Sequence, residues 1–236
     1  MIRRLLRPPV VLVYHGVAEA PAADDPVRLL TPPRNLDAHI RLLRAHRYEF
    51  RTAAGLTDGG PPSAGVAALT FDDGWANWCT TALPVLTAHG ISATFYVCPG
   101  LWGQQHPDLP STPEGRLLGR EDAIELHAAG MELGAHSLTH PDLRKLPDRE
   151  LEREVRGSKE AVEELTGRAC ETFAYPFGFH DRRVERAVES AGFRLGFAWL
   201  PGPWRQFAAP RLPAPSRRGR AGLALKIHGV RRRWGR

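Results

Sequence analysis

The chain has 236 residues, 42% of them hydrophobic and 25% charged, with a formal net charge of +6. These proportions are those of an ordinary globular chain and exclude a collagen-like, low-complexity or disordered polymer. Three cysteines, Cys79, Cys98 and Cys170, are too few and too far apart for a disulfide framework or a paired-cysteine metal site.

The N-terminal MIRRLLRPPVVLVYHG carries early arginines, as a secretory signal does. Its apolar run is shorter than the roughly 7–15 residues such a signal needs, and no small-residue cleavage site follows. No stretch approaches the ~20 apolar residues of a membrane span. The expected location is therefore the cytoplasm.

VVLVYHG (10–16) reads as a short buried strand. In NLDAHIRLLRAHRY (35–48), Leu36, Ile40 and Leu43 fall at helical spacing, with Asn35 as the candidate N-cap. DGGPPSAG (58–65) is a loop, and VAALTF (66–71) is a strand that ends at Asp72–Asp73. TTALPVLTAHG (80–90) is helical, and ISATFYV (91–97) is the next strand. Residues 98–119 hold four prolines and four glycines without periodicity, and are expected to form a long loop beside a site. A helix over 120–130, a strand over 131–137 and a long charged helix over 148–167 follow. ETFAYP (171–176) and RLGFAW (194–199) are strands around a helix over 181–192. Strands that alternate with helices in this way imply βα units and a mainly parallel sheet, open or barrelled.

The C-terminal segment is different. Residues 211–236 carry nine Lys and Arg and no acid, leaving 23 basic against 26 acidic residues elsewhere. One reading is a solvated tail. The other is attraction to an anionic membrane surface or glycan, each basic residue contributing about 1 kcal/mol near such a membrane. Nucleic acid is not expected, because the tail has no aromatic interleaving and no recognisable binding module.

In a parallel sheet, chemistry collects at the carboxyl ends of strands. His15, Asp72, Asp73, His136 and Tyr175–Pro176 all fall there. HSLTH sets His136 and His140 four residues apart, which on one helical turn puts both imidazoles on one side. Two histidines and a carboxylate form a common catalytic metal shell that leaves a position open for water. A cation beside one aspartate relieves the repulsion of the pair and frees the other to act as a general base. Helix capping explains one of these carboxylates, not both.

TFDDG (70–74), HSLTH (136–140) and YPFG (175–178), in that order and spacing, resemble the polysaccharide deacetylases with NodB homology, carbohydrate esterase family 4. The resemblance runs from about residue 10 to 213. It implies an α/β fold, a distorted (β/α) barrel, over residues 1–213, with a basic tail over 214–236. It further implies removal of acetyl groups from a glycan with the help of a divalent metal, zinc being the expected one. By motif, Asp72 matches the base, and Asp73, His136 and His140 match the metal ligands. Ser137 or Thr139 would brace the histidine loop. Tyr175, Pro176, Phe177 and Gly178 match a groove wall that offers a backbone N–H to the oxyanion.

Two departures stand out. The family's third motif has an arginine where this chain has Ala174, and Arg211 in PRLP is the candidate for the missing charge and a candidate substrate contact. The family's acid is a histidine at a strand end. LVYH ends at His15 and LKIH at His228, and His15 is preferred because FAYPFG and an N-terminal acid motif resemble the subgroup acting on poly-N-acetylglucosamine. Among Trp75, Trp78, Trp102 and Phe177, Trp102 in the long loop is the candidate sugar platform. The expected substrate is an acetylated glycan or glycoside. Rival readings are an O-acetyl esterase or amidase on a small or lipid-linked substrate, a glycan-binding pseudoenzyme, and a retaining glycosidase, whose carboxyls must face each other across the bond.

Overall fold

The structure, a computed structural model, describes residues 7–19, 25, 28–58, 60–107, 115–199, 202–215 and 219–234, with side chains as far as 227. The strands are β1 (Val10–Tyr14), β2 (Glu49–Phe50), β3 (Val66–Phe71), β4 (Thr94–Val97), β5 (Glu132–Ala135), β6 (Thr172–Ala174), β7 (Leu195–Phe197) and β8 (Leu212–Pro213). The helices are α1 (Pro33–Ala45), α2 (Ala82–Ala88), α3 (Arg120–Ala128), α4 (Asp148–Thr166), α5 (Arg182–Ser190) and α6 (Gly219–Trp234).

The strands form one sheet in the order β7-β6-β5-β4-β3-β1-β8, with β2 also paired to β3, and the ladders are parallel. A parallel strand covered on both faces reads as a continuous apolar run, and VVLVY and VAALTF are buried at every position. The sheet curls, so that its two faces pack into separate clusters. Val11, Val66, Ala68, Tyr96, Ala174, Leu195 and Phe197 pack together inside the curl. Leu12, Tyr14, Leu69, Phe71 and Phe95 face the other way, in the larger cluster that includes the buried faces of the helices.

One stretch of chain joins the two sheet edges. Ala209 bridges Phe197 of β7, and three residues later Leu212 pairs with Leu12 of β1. Arg211 is held between these two attachments.

Two sequence expectations are corrected. Asn35 does not cap α1: the cap position is Pro32, and Pro33 takes the first helical position, where its fixed φ already suits a helix and its missing N–H has no partner to lose. The basic segment is not simply solvated: its stretch around Lys226, which reads as a surface helix, lies in α6 from Gly219, with Leu223 and Ile227 buried and α6 set against α1. Among the described residues, no helix is long and apolar enough to cross a membrane.

Candidate active site

The register places β1 and β3 level. Tyr14 pairs with Phe71, and the Asp72 N–H donates to the Tyr14 carbonyl at 2.9 Å, so His15 and Asp72 leave the sheet side by side. Side chains alternate along a strand. Asp72 therefore shares the interior face with Ala68 and Thr70, and its neighbour should point outward. Asp73 instead adopts φ +81° and Gly74 φ +85°, which turns the chain so that both carboxylates meet one cavity. Such backbone is rare for a residue with a Cβ and is kept where function requires it. Among the described residues, four of the six non-glycine residues with positive φ lie in the motifs: Asp73, Ser137, His140 and Phe177.

The two carboxylates live in different surroundings. Asp72 is gripped from behind by Arg211, whose Nη1 and Nη2 each donate to one carboxylate oxygen at 2.6 Å. Arg211 is 2% exposed; its Nη1 also donates to Thr70 Oγ1 and its Nε to the Ala198 carbonyl. Asp73 instead faces imidazoles. His136 and His140 bring Nε2 to 3.3 and 3.4 Å from Oδ1. His106 and His15 bring Nε2 to 3.5 and 4.0 Å from Oδ2. Trp75 Nε1 donates to the same oxygen at 3.3 Å. Burial alone would push the Asp73 carboxyl up. The charge of His15 and the adjoining imidazoles of His106, His136 and His140 outweigh it and hold the group well below the usual range.

The histidines are aimed by their outer partners. The Nδ1 of His136 pairs with the Ala174 carbonyl at 2.7 Å, so Nδ1 carries the proton and Nε2 presents a lone pair to the cavity. The HSLTH loop is tied to α4. The buried carboxylate of Glu154 accepts the N–H groups of Leu138 and Thr139 at 2.9 Å and the Thr139 hydroxyl at 2.8 Å. Ser137 Oγ accepts the His140 N–H at 3.0 Å. His15 is steadied by Trp78, which donates to its carbonyl at 2.8 Å. Burial lowers the His15 pKa, against the pull of Asp73 and Asp72, which raise it.

The cavity has a volume of about 190 Å³. That is below the roughly 300–1,000 Å³ of sites enclosing a whole small ligand, so it suits one substituent of a larger substrate. Its polar wall is Asp72, Asp73, His15, His106, His136 and His140, and its apolar wall is Leu29, Phe177, Gly178 and Trp199. Gly178, at φ +70°, is required there: a Cβ would lie 2.2 Å from that of Trp199.

Several expected site residues sit elsewhere. Trp102 is part-buried against the core and does not line the cavity. Arg211 lies behind Asp72, supplying the charge missing at Ala174 instead of a substrate contact. Tyr175 is buried, its N–H donating to the Phe197 carbonyl and its hydroxyl to that of Phe207, so neither faces the cavity. Pro176 is buried beside it, while Phe177 and Gly178 reach the wall. The side chain of His228 lies outside the described residues. His106, Glu154 and Trp199 escaped the sequence reading. The long loop brings His106 in: its N–H donates to Gly115, Gln105 bridges Arg116, and Leu117 bridges Trp75 beside Asp73.

The donor set suits a divalent cation. Asp73, His106 and His140 offer donor atoms all within 4.8 Å of one another, and His136 adjoins them through Asp73. One carboxylate oxygen and imidazole nitrogens are the donors zinc and its neighbours in the first transition series prefer.

Residues 59–196 match the model of the family described as polysaccharide deacetylase. YxkH of Bacillus subtilis is 24% identical over 196 residues, covering 81% of this chain and 64% of YxkH. A chitooligosaccharide deacetylase of Bradyrhizobium is 31% identical over 144 residues, covering 60% of this chain and 58% of that protein. The chain thus spans less than two thirds of the length of these relatives. In fold it is similar to the Streptococcus pyogenes deacetylase PplD, with a TM-score of 0.78 at 20% identity, covering 93% of this chain and 98% of PplD. IcaB from Ammonifex degensii gives a TM-score of 0.73 at 21% identity, covering 94% and 97%.

Proposed function

The chain belongs to the polysaccharide deacetylase family, and from that premise we propose that it is a metal-dependent hydrolase that removes N-acetyl groups from a glycan or glycoside. The observation that carries the reading is the division of labour between the adjacent aspartates. Asp72 is charge-balanced and fixed by Arg211, and Asp73 is ringed by imidazole nitrogens.

Asp73, His136 and His140 would hold the cation. A divalent ion bound there, zinc being our choice, would supply polarisation of the acetyl carbonyl and a lowered pKa for its water. Asp72 takes the proton from the attacking water. Each of its oxygens spends one lone-pair site on Arg211 and keeps another for that proton. His15, across Asp73, gives a proton to the departing amine nitrogen, so the products are acetate and a free amine. The first backbone donor beyond Tyr175 is Phe177, since proline has none, and we assign its N–H to the charge that develops on the carbonyl oxygen. Phe177 and Trp199 close the apolar side, where an acetyl methyl fits.

Acetate release should be measured from N-acetyl and O-acetyl sugars side by side. Release from the N-acetyl series, lowered about 10²–10⁴-fold by Asp72→Asn with metal content unchanged, is the expected result. Asp73→Asn should lose the metal itself. Activity confined to O-acetyl sugars would overturn the amide reading, and metal loss in Asp72→Asn alone would reverse the two roles.

A further inference from the structure

We propose that His106 is a further protein ligand of the cation at this site, so that three imidazoles and Asp73 would hold it in a five-coordinate shell that keeps one position for water. The inference rests on the metal reading above and adds a residue to it.

Distance carries the argument. The Nε2 atoms of His136, His140 and His106 lie 3.3, 3.4 and 3.5 Å from the nearest Asp73 oxygen. Good N–H···O bonds run about 2.7–3.2 Å. Donors that share one cation at about 2.0–2.2 Å stand about 3–3.6 Å apart; each imidazole stands at such a distance from Asp73, and the donor atoms of Asp73, His106 and His140 all lie within 4.8 Å of one another. The carboxylate has two oxygens: His106 faces Oδ2, and His136 and His140 face Oδ1.

His106 is also placed as a ligand is placed. It is 5% exposed, its ring stands edge-on to that of His140 with centroids 5.1 Å apart, and Trp75 flanks it at 6.0 Å. A loop histidine is thus buried against the His140 imidazole and the Asp73 carboxylate. Its backbone is pinned by Gly115, so the ring is delivered to the cavity by the fold of the loop. Asp73, His136 and His140 follow strand ends, whereas His106 comes from the segment beyond β4.

The test is zinc titration of metal-free protein against a chromogenic chelator, with zinc-edge X-ray absorption of the loaded forms. Wild type should show three imidazoles around zinc, and His106→Ala two, with affinity lowered tenfold or more and the melting temperature of the metal-free protein little changed. His106→Gln, which keeps the volume, should show the same loss and carries the test if the alanine variant does not fold. Two imidazoles in wild type, with affinity in His106→Ala within twofold, would overturn the inference. His136→Ala separates the levels: if it abolishes zinc binding while His106→Ala does not, only the role of His106 falls. A wild type that binds no zinc removes both.

Discussion

Arg211 settles what the aspartate pair requires. A buried carboxylate without a counter-charge is costly, and Arg211 meets Asp72 with both arms of its fork, 139 residues away in sequence. Arg211→Ala leaves Asp72 buried and alone, and should destabilise the protein by about 3–5 kcal/mol in chemical denaturation. Arg211→Lys keeps the charge but loses the planar fork. It should fold, keep its metal and lose turnover, a combination that a merely structural residue would not give; loss of metal in step with turnover would argue against a role through Asp72. The motif pointed to Ala174 as the place where a charge was missing, and PRLP offered a candidate. Only the closure of the sheet, with Ala209 on β7 and Leu212 on β1, brings that candidate behind Asp72. His136 and His140 were legible because their spacing is local. Trp199 and His106 were not, because neither stands in a pattern of its own.

At the scale of elements, the carboxyl ends of the strands were legible and the braces behind them were not. β3 spans the residues its apolar run predicts, Val66–Phe71, because a strand buried on both faces leaves a continuous apolar signature. Glu154 left no such mark. It looks like one more acid on a charged helix, yet it is 2% exposed and accepts three donors from the HSLTH loop. Glu154→Ala therefore orphans two backbone N–H groups and a hydroxyl at once, and frees a loop whose Ser137 and His140 sit at φ +62° and +60°. Metal affinity should fall about 10–100-fold, the usual effect of removing an outer support, while α4 stays folded. Titration of the variant with zinc, alongside its far-ultraviolet circular dichroism, checks both halves; unchanged affinity would show that the loop holds its shape without the clamp.

At the scale of the molecule, the C-terminal helix is joined to the first strand through one buried histidine. His39 of α1 bonds outward on both ring nitrogens: Tyr14 Oη lies 3.0 Å from Nδ1 and the Gly219 carbonyl 3.1 Å from Nε2. A carbonyl only accepts, so Nε2 carries the proton and Nδ1 accepts from the tyrosine, and the neutral ring satisfies both neighbours. Burial, with Lys226 adding to it and the Gly219 carbonyl opposing, pushes the His39 pKa down to about 4 from 6.5. The sign follows. The unfolded chain binds this proton near pH 6.5 and the folded chain only near 4, so the unfolded state holds more protons between those values and stability rises with pH there. The contribution is complete above about pH 6.5, is lost as the pH falls toward 4, and changes no further below. His39→Gln should be less stable at pH 7.5 but lack this part of the slope, so that the stability difference between the two proteins narrows on acidification. Urea midpoints taken from pH 7.5 to 4 measure it, and the difference removes titrating groups common to both. Loss of stability should coincide with release of α6, since Gly219 opens that helix and Lys226 fastens it to the Pro213 carbonyl beside β1. A gap that stays constant across the range would mean that His39 keeps the same protons folded and unfolded, and that the join between α6 and the barrel does not depend on its neutral form.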